Sequence, residues 1–549
     1  MNSPNLTPSI VLSTLNAKYI HASLGLRYLL ANMGELSPMT ALREFTIARK
    51  AQDIVDELLF TLESMAATTI PGVSDTQIIG FGVYIWNVQQ TTAVVRLLKA
   101  ARPGIKIVLG GPEVSYEANE QEIVRLADHV ITGWGDLSFA KLCRDLMRGT
   151  KPLKIVIGEQ PALDQIALPY AKYSDTDLAH RQLYVEASRG CPFKCEFCLS
   201  ALDKTAWAFD LDVFLAEMQF LYQRGARNFK FVDRTFNLNI DTSVRILRFF
   251  LDHLTSPDSK ALPDDLFVHF EVVPDHLPDR LKQIIAQFPP GVLQLEVGVQ
   301  SFSVEVQQRI SRRQDNARSE ANMRWLLAES NAHLHTDLIF GLPGETLESF
   351  AAGFDRLYAM KPHEIQLGLL KRLRGTPIAR HTADYGMVYD STPPYTVLQT
   401  GVVDASTMQR ITRFARYWDK LANSGRFAQS LLILLNDRTA TPTQNHAEKV
   451  ASPFYAFLDF SDWLWKNAEK TNDLSPEFLI DAMFAYLTER GVPVPTIQTA
   501  LLADYETSGA RGSPRTLRGL LAKRGAPKRP MRVLAQRQER HAQIRQTVD

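Results

Sequence analysis

Short apolar runs alternate with helical stretches along the first 150 residues. SIVLSTL (9–15) reads as a strand, and the apolar spacing around Leu24 to Ala31 predicts a helix. IIGFGVYI is followed by the helical TTAVVRLLKAA, then KIVLGG, a helical stretch around 119–127, and HVITGWG. Strands alternating with helices of this length predict a parallel sheet covered on both faces, a doubly wound α/β domain over 1–150. Ligands of such sheets sit at loops leaving the carboxyl ends of the strands, here LNAKYIH, YIWN, GGPEVSY and GWGD. The pattern weakens from Pro152 to Tyr173, and prolines and charges there predict a linker (151–180). LYVEAS, NFKFVD, FVHFEVV, LQLEVGVQ, HTDLIFG and EIQLGLL then give six strand signals separated by amphipathic stretches such as DVFLAEMQFLYQRG. They predict a barrel or partial (β/α)6 TIM-like barrel over 181–376, an architecture that gathers catalytic groups at strand ends. Beyond Pro377 the strand signals fade. ASTMQRITRFARYWDKLANS, SPFYAFLDFSDWLWKN and SPEFLIDAMFAYLTERG predict a mainly helical region over 377–510, with the aromatics of the second serving as core.

Composition narrows the class. With 45% hydrophobic and 22% charged residues and a net charge of +1, the chain of 549 residues is that of a folded protein. Its charge balance points to neither nucleic acid nor an acidic membrane. The start lacks a basic leader and no apolar run spans a bilayer, so a cytoplasmic location without membrane contact is expected. The one charge asymmetry is 511–549, with eleven Lys/Arg against two Asp/Glu. It reads as a solvated tail, with docking of RNA or another polyanion as the sharper alternative. Four cysteines are too few for a disulfide scaffold, and three of them lie within RGCPFKCEFC: Cys191, Cys195 and Cys198. Cys143, in the helical FAKLCRDLM, reads as a small buried hydrophobe.

Three thiols on one loop after a strand can meet one metal centre. A structural zinc site normally closes four ligands, and no partner C-x-x-C pair exists. A four-iron cluster usually takes four cysteines, so three leave one iron open to a substrate or cofactor. This C-x-x-x-C-x-x-C loop resembles that of radical S-adenosylmethionine (SAM) enzymes, whose open iron chelates SAM. The resemblance implies a [4Fe–4S] cluster on the three cysteines, with Phe197 packing near the adenine. FEVVP, GVQSFSVEVQQRISRRQD and TDLIFGLPGE are similar to the oxygen-independent coproporphyrinogen oxidase branch. That similarity implies SAM contacts from Glu271, Gln300, Arg312 and Asp337, the arginine suited to a carboxylate. FVDRTFN occupies the place of the motif for the SAM amino group, with Asp233 where a glycine-rich pair is usual.

The domain before this core resembles the cobalamin-binding domain of cobalamin-dependent radical SAM enzymes, carried by LNAKYIHASLGLRYL, GGPE and GWGD. The resemblance implies cobalamin, with Asn16, Tyr84, Trp86, Gly110, Gly111 and Glu113 as candidate contacts; the two glycines would allow close backbone approach. YIHASLG departs from the D-x-H-x-x-G of cobalt-ligating domains, so His21 reads as a helix-start or core histidine. LLKRLRGTPIARHTADYG and PPYTVLQ resemble the C-terminal region of a poorly characterised subgroup of this family. The implied activity is reductive cleavage of SAM, hydrogen abstraction from an unactivated carbon, and methyl transfer from methylcobalamin. The substrate would be a small molecule or peptide, and the electron donor a flavodoxin or ferredoxin. Alternatives are cobalamin-assisted rearrangement, cyclisation or oxidoreduction without methyl transfer, and RNA modification through the basic tail. A non-catalytic iron–sulfur or zinc module would leave the SAM-contact quartet unexplained. A methylthiotransferase would carry further N-terminal cysteines, which this sequence lacks.

Overall fold

The structure, a computed structural model, describes residues 9–65, 76–203, 205–255, 266–436, 452–508, 510, 512–521, 538 and 540–541. Most of the basic tail lies outside the described residues. The chain is α/β and divides into two compact units. The first comprises Met1–Arg234, Lys371–Ala379 and Asp390–Thr396; the second comprises Thr235–Leu370, Arg380–Tyr389 and Val397–Asp549.

The first unit opens with β1 (Ser9–Asn16), α1 (Leu24–Ala31), β2 (Thr40–Thr46), α2 (Ala51–Ser64), β3 (Gln77–Gly82), α3 (Val88–Ala101), β4 (Lys106–Gly110), α4 (Glu122–Leu126), β5 (His129–Thr132), α5 (Ser138–Met147) and β6 (Ile155–Ile157). All six strands are parallel, in the order β2-β1-β3-β4-β5-β6. The sheet is covered on both sides, which is why its inner strands β1, β3 and β4 read as apolar runs. Val11, Leu15, Ile79, Phe81, Ile107 and Leu109 face α2 and α3, whereas Ile10, Leu12, Ile78, Val108 and Ile131 face α1 and α5. Cys143 is fully buried in the second of these layers. Strand order reverses beside β1, which puts the ligand crevice of such a sheet at the carboxyl ends of its central strands.

The stretch read as a linker is more than that: Ile155–Ile157 pairs with β5 as a sixth strand. Three residues at a sheet edge, among prolines and charges, bury too little to leave a periodic signal. The first unit continues through α6 (Asp175–His180), β7 (Leu183–Val185), the β8 (Ser188–Arg189) and β9 (Trp207–Ala208) ribbon, α7 (Leu211–Gln223) and β10 (Asn228–Phe231). β7 and β10 pair in parallel and carry the cysteine loop between them in sequence.

The second unit holds α8 (Ile240–Thr255), β11 (Phe267–Val272), α9 (Asp279–Ile285), β12 (Leu293–Gln300), α10 (Val304–Arg309), α11 (Asn316–Glu329), β13 (His333–Phe340), α12 (Leu347–Tyr358) and β14 (Glu364–Leu369). Its four strands form a parallel sheet in sequence order. A short antiparallel pair follows, β15 (Val388–Tyr389) and β16 (Val397–Gln399). Then come α13 (Ala405–Leu421), α14 (Ala428–Leu435), α15 (Pro453–Ala468), α16 (Pro476–Glu489) and α17 (Val494–Ser508). Ser452 and Ser475 cap α15 and α16, each followed by a proline preset for a first turn. Phe454, Phe457 and Phe460 are fully buried, the first two against Phe414 and Trp418 and the third against Tyr486, so the aromatic run is core as the sequence implies. Among the described residues no helix is long and apolar enough to cross a membrane.

Candidate functional site

In the first unit, a cavity of about 300 Å3 lies at the carboxyl ends of β3, β4 and β5 and beside α1. Its wall is built from glycines: Gly80 and Gly82 on β3, Gly110 and Gly111 on β4, Gly133 and Gly135 after β5. Side chains there would close the space, and a Cβ on Gly80 would lie 2.7 Å from the Phe139 ring. Gly111 has φ +109°, and a Cβ on it would come 2.5 Å from the Val83 carbonyl oxygen. Only glycine permits that crossing of two loops. The remaining lining is mostly apolar, from Leu26, Tyr28, Leu29, Val108, Ile131, Trp134 and Phe139. A largely apolar cleft walled by backbone suits a flat ring system such as the nucleotide end of a cobalamin.

Of the cobalamin candidates, Tyr84, Gly110 and Gly111 line this cavity, while Asn16, Trp86 and Glu113 do not. Asn16 Nδ2 donates to the His21 carbonyl (2.8 Å) and to Glu44 Oε1 (3.0 Å), bracing the loop after β1. Trp86 stacks on Tyr84 at 4.5 Å and donates Nε1 to the Leu15 carbonyl. Glu113 is buried, accepting from Tyr395 Oη (2.6 Å) and Arg374 Nε (3.1 Å). Its carboxylate thus anchors the Lys371–Ala379 and Asp390–Thr396 segments to the first unit. His21 sits just before α1 with Nδ1 2.7 Å from Tyr184 Oη, and no histidine lines the cavity among the described residues.

Arg189 and Asp136, which the motif reading passes over, also line the cavity. Arg189 makes two bonds to Asp136 (2.9 and 3.0 Å) and one to Glu186 (2.8 Å). Its guanidinium lies over the Tyr28, Trp134 and Phe209 rings. Burial opposes the charge, yet Glu186 and Asp136 outweigh it and hold the guanidinium pKa high. The residue belongs to the RGC string two positions before Cys191, so the cysteine loop and the cavity share one buried ion network. Its adjacency to that string is the signal by which it could have been found.

The cysteine loop is held by Cys191 N–H donating to the Asp203 carbonyl (3.2 Å) and by a turn from Cys198 N–H to the Cys195 carbonyl (3.1 Å). Ile378 N–H donates to the Glu196 carbonyl (3.0 Å), bracing the loop from the 371–379 segment. Burial raises the Cys191 thiol pKa, and the nearby Cys198 and Cys195 raise it further. Among the described residues no three His, Cys, Asp or Glu side chains converge closely enough to hold a metal ion. The thiols therefore share an electrostatic neighbourhood without being gathered around one point, and their fit to a cluster rests on the donor set, three soft thiolates on one loop. Phe197 is half-buried beside Cys198. Asp233 is buried and already satisfied, its Oδ1 accepting from Ser188 Oγ (2.6 Å) and its Oδ2 from Ala187 N–H (3.0 Å). Burial pushes its pKa to about 7. Its observed work is to pin the turn leading to the cysteine loop, an unlooked-for role for a residue read as a SAM contact.

In the second unit the quartet clusters about Gly298, where the register shifts by one residue. Arg312 Nη2 donates to the Gly298 carbonyl, and a Cβ on Gly298 would lie 2.5 Å from Gln300 Nε2. Asp337 is the strand partner of Gly298, and Glu271 that of Glu296 two positions earlier. Glu271 and Asp337 therefore stand on the same sheet face. Gln300 adopts φ +68°, a strained conformation for a residue with a side chain, and its Oε1 is buried without a hydrogen-bond partner. An orphaned acceptor on a strained backbone is what a hydroxyl- or amine-bearing ligand such as SAM would satisfy. His335, on β13, bridges Asp337 (3.2 Å) and Glu364 (3.3 Å). Burial disfavours its charge, but those carboxylates win and raise its pKa to about 10.

Comparison with known proteins agrees with this architecture. Residues 11–143 match the B12 binding domain, 185–357 the radical SAM superfamily, and 383–547 a protein family of unknown function (DUF4080). The chain is 24% identical over 333 residues to 2-(S-pantetheinyl)-carbapenam-3-carboxylate methyltransferase of Streptantibioticus cattleyicolor, covering 55% of this chain and 47% of the relative. It is 24% identical over 336 residues to the cobalamin-dependent radical SAM methyltransferase TokK of Streptomyces tokunonensis, covering 54% and 48%. The chain thus spans about half the length of the curated relatives it matches. The solved structure of the cobalamin-dependent SAM radical enzyme OxsB, bound to aqua-cobalamin and SAM, shares the fold with a TM-score of 0.59 and 13% identity, over 98% of this chain and 84% of that one. Sheet, cysteine loop and strained β12 end together define a protein that joins a B12-binding domain to a radical SAM domain. The chain thus pairs a B12 binding domain with a radical SAM domain, the combination of cobalamin-dependent radical SAM enzymes, which implies a [4Fe–4S] cluster, SAM and cobalamin as its cofactors.

Proposed function

We propose that this protein is a cobalamin-dependent radical SAM methyltransferase acting on a small molecule or peptide. The observation that carries the reading is the join at Arg189, one side chain lining the glycine-walled cavity and standing two residues before the three-thiol loop. When bound, the three cofactors supply reductive cleavage of SAM to a 5′-deoxyadenosyl radical and a methyl group for transfer, with electrons from an external reductant as radical SAM enzymes require.

The chain's own residues bind, orient and exclude water. Cys191, Cys195 and Cys198 are the cluster ligands, with Phe197 flanking them. Tyr84, Gly110, Gly111 and the other cavity residues hold cobalamin, and the buried glycine wall keeps water away from it. Gln300 offers its unpaired Oε1 to the SAM hydroxyl or amine groups, and Arg312 its guanidinium to the SAM carboxylate. Asp337 and Glu271 accept hydrogen bonds, the former lying 3.2 Å from His335, whose proton it helps to hold. The methyltransferase relatives support methyl transfer as the outcome.

Cys198→Ala tests the assignment under anaerobic, reducing conditions. The intact protein is expected to cleave SAM and show the broad visible absorption of an iron–sulfur cluster, and the variant to lose both. Cleavage that survives the substitution would contradict it.

A further inference from the structure

A second cavity, of about 240 Å3, opens in the second unit between the end of α13, the loop that follows it and the start of α16. No residue of it belongs to the cofactor sites above. Three cations reach it, Lys420, Arg426 and Arg540, against one carboxylate, Asp419. Arg540 is fixed by Nε donating to the Ser424 carbonyl (2.7 Å). Lys420 makes no ion pair or hydrogen bond among the described residues.

Arg426 is the telling member. Its Nε is buried without a hydrogen-bond partner, and among the described residues the side chain meets no carboxylate within ion-pair distance. Other arginines removed from solvent differ in having carboxylate partners: Arg27, whose Nε is likewise unpartnered, meets Glu44 and Asp177, Arg189 meets Asp136 and Glu186, and Arg374 meets Glu113 and Glu117. Burial lowers the Arg426 pKa despite the opposing pull of Glu477. Carboxylates raise the pKa of Arg27 and Arg189, and Tyr395 together with Glu113 raises that of Arg374. An uncompensated guanidinium is costly to bury unless something anionic completes it. Phe427 and Leu479, both buried, form an apolar wall beside the charges.

We propose that this cavity binds a phosphate monoester. A dianion matches a guanidinium fork beside an ammonium, and the apolar wall receives the organic substituent. The volume limits that substituent to a small group.

Calorimetric titration of the full-length protein at fixed ionic strength tests the site, using inorganic phosphate and phenyl phosphate with chloride as control. Both phosphates are expected to bind saturably, phenyl phosphate more tightly, and chloride not at all. Arg426→Met and Lys420→Met should each weaken binding by about tenfold, the weight of one charge-assisted hydrogen bond. Absence of saturable binding, affinity in both variants unchanged from the unsubstituted protein, or exclusion of phenyl phosphate would overturn the proposal. Should Arg426→Met fail to fold, Lys420→Met decides, because its side chain supports no described contact.

Discussion

His335 shows how a buried charge can be held for a neighbour's sake. Two carboxylates, Asp337 and Glu364, flank it and keep its proton to about pH 10. The ordinary histidine value is 6.5, so the folded state binds this proton more tightly than the unfolded chain. The stabilisation is therefore complete below about pH 6.5 and fades as the pH rises toward about 10. His335→Gln leaves two carboxylates facing each other, and at pH 6 it should cost roughly 3–5 kcal/mol in urea unfolding, the penalty of breaking a buried pair. At pH 9.5 the difference from the unsubstituted protein should shrink; an unchanged gap would remove the imidazolium from the account. The sequence places Asp337 in a motif but cannot show its partner, because His335 and Glu364 meet only through strand register. The same holds for Glu113. Its GGPE string reads as a ligand loop, yet Arg374 and Tyr395, far along the chain, take up its carboxylate.

At the scale of elements, what the sequence discloses follows burial. Strands covered on both faces, such as β1, β3 and β4, stand out as apolar runs, and all six strand signals after Leu183 are strands. β2 does not stand out, because an edge strand exposes much of itself and TALREFT carries Arg43 and Glu44 in its middle. α2 does carry a helical period in Ile54, Val55, Leu58 and Leu62, and the reading passes over it because no motif draws attention there. The cavity wall was legible as glycine-rich loops, but not which glycine does what. Gly111 takes a backbone conformation that side chains resist, and a Cβ there strikes Val83. Gly110 has ordinary φ, and a Cβ on it would meet nothing closer than the Ile131 carbonyl oxygen at 3.8 Å. Gly111→Ala is therefore expected to destabilise the domain by about 1–3 kcal/mol, read as a lower thermal midpoint. Gly110→Leu should leave that midpoint nearly unchanged while filling the cavity and abolishing retention of added cobalamin on a sizing column. A Gly110→Leu protein that keeps cobalamin would move the corrinoid elsewhere.

At the scale of the molecule, the chain joins two parallel α/β sheets and a helical region, and the residues of the proposed chemistry lie on the two sheets and their loops. The first unit holds both the glycine-walled cavity and the cysteine loop, linked through Arg189, Asp136 and Glu186. That linkage predicts cross-talk within the unit: Arg189→Met should weaken cobalamin binding and alter the electron paramagnetic resonance spectrum of the reduced cluster, although it removes no thiol. Two independent effects on one substitution would distinguish a shared network from a general loss of folding, which Arg189→Lys should largely avoid. The most direct test of the central claim is cofactor analysis of the protein purified without oxygen and given iron, sulfide and cobalamin. About four irons per chain are expected with one tightly bound corrinoid, the iron falling sharply in Cys198→Ala while the corrinoid remains. Iron bound without any corrinoid, or iron content indifferent to Cys198, would contradict the account.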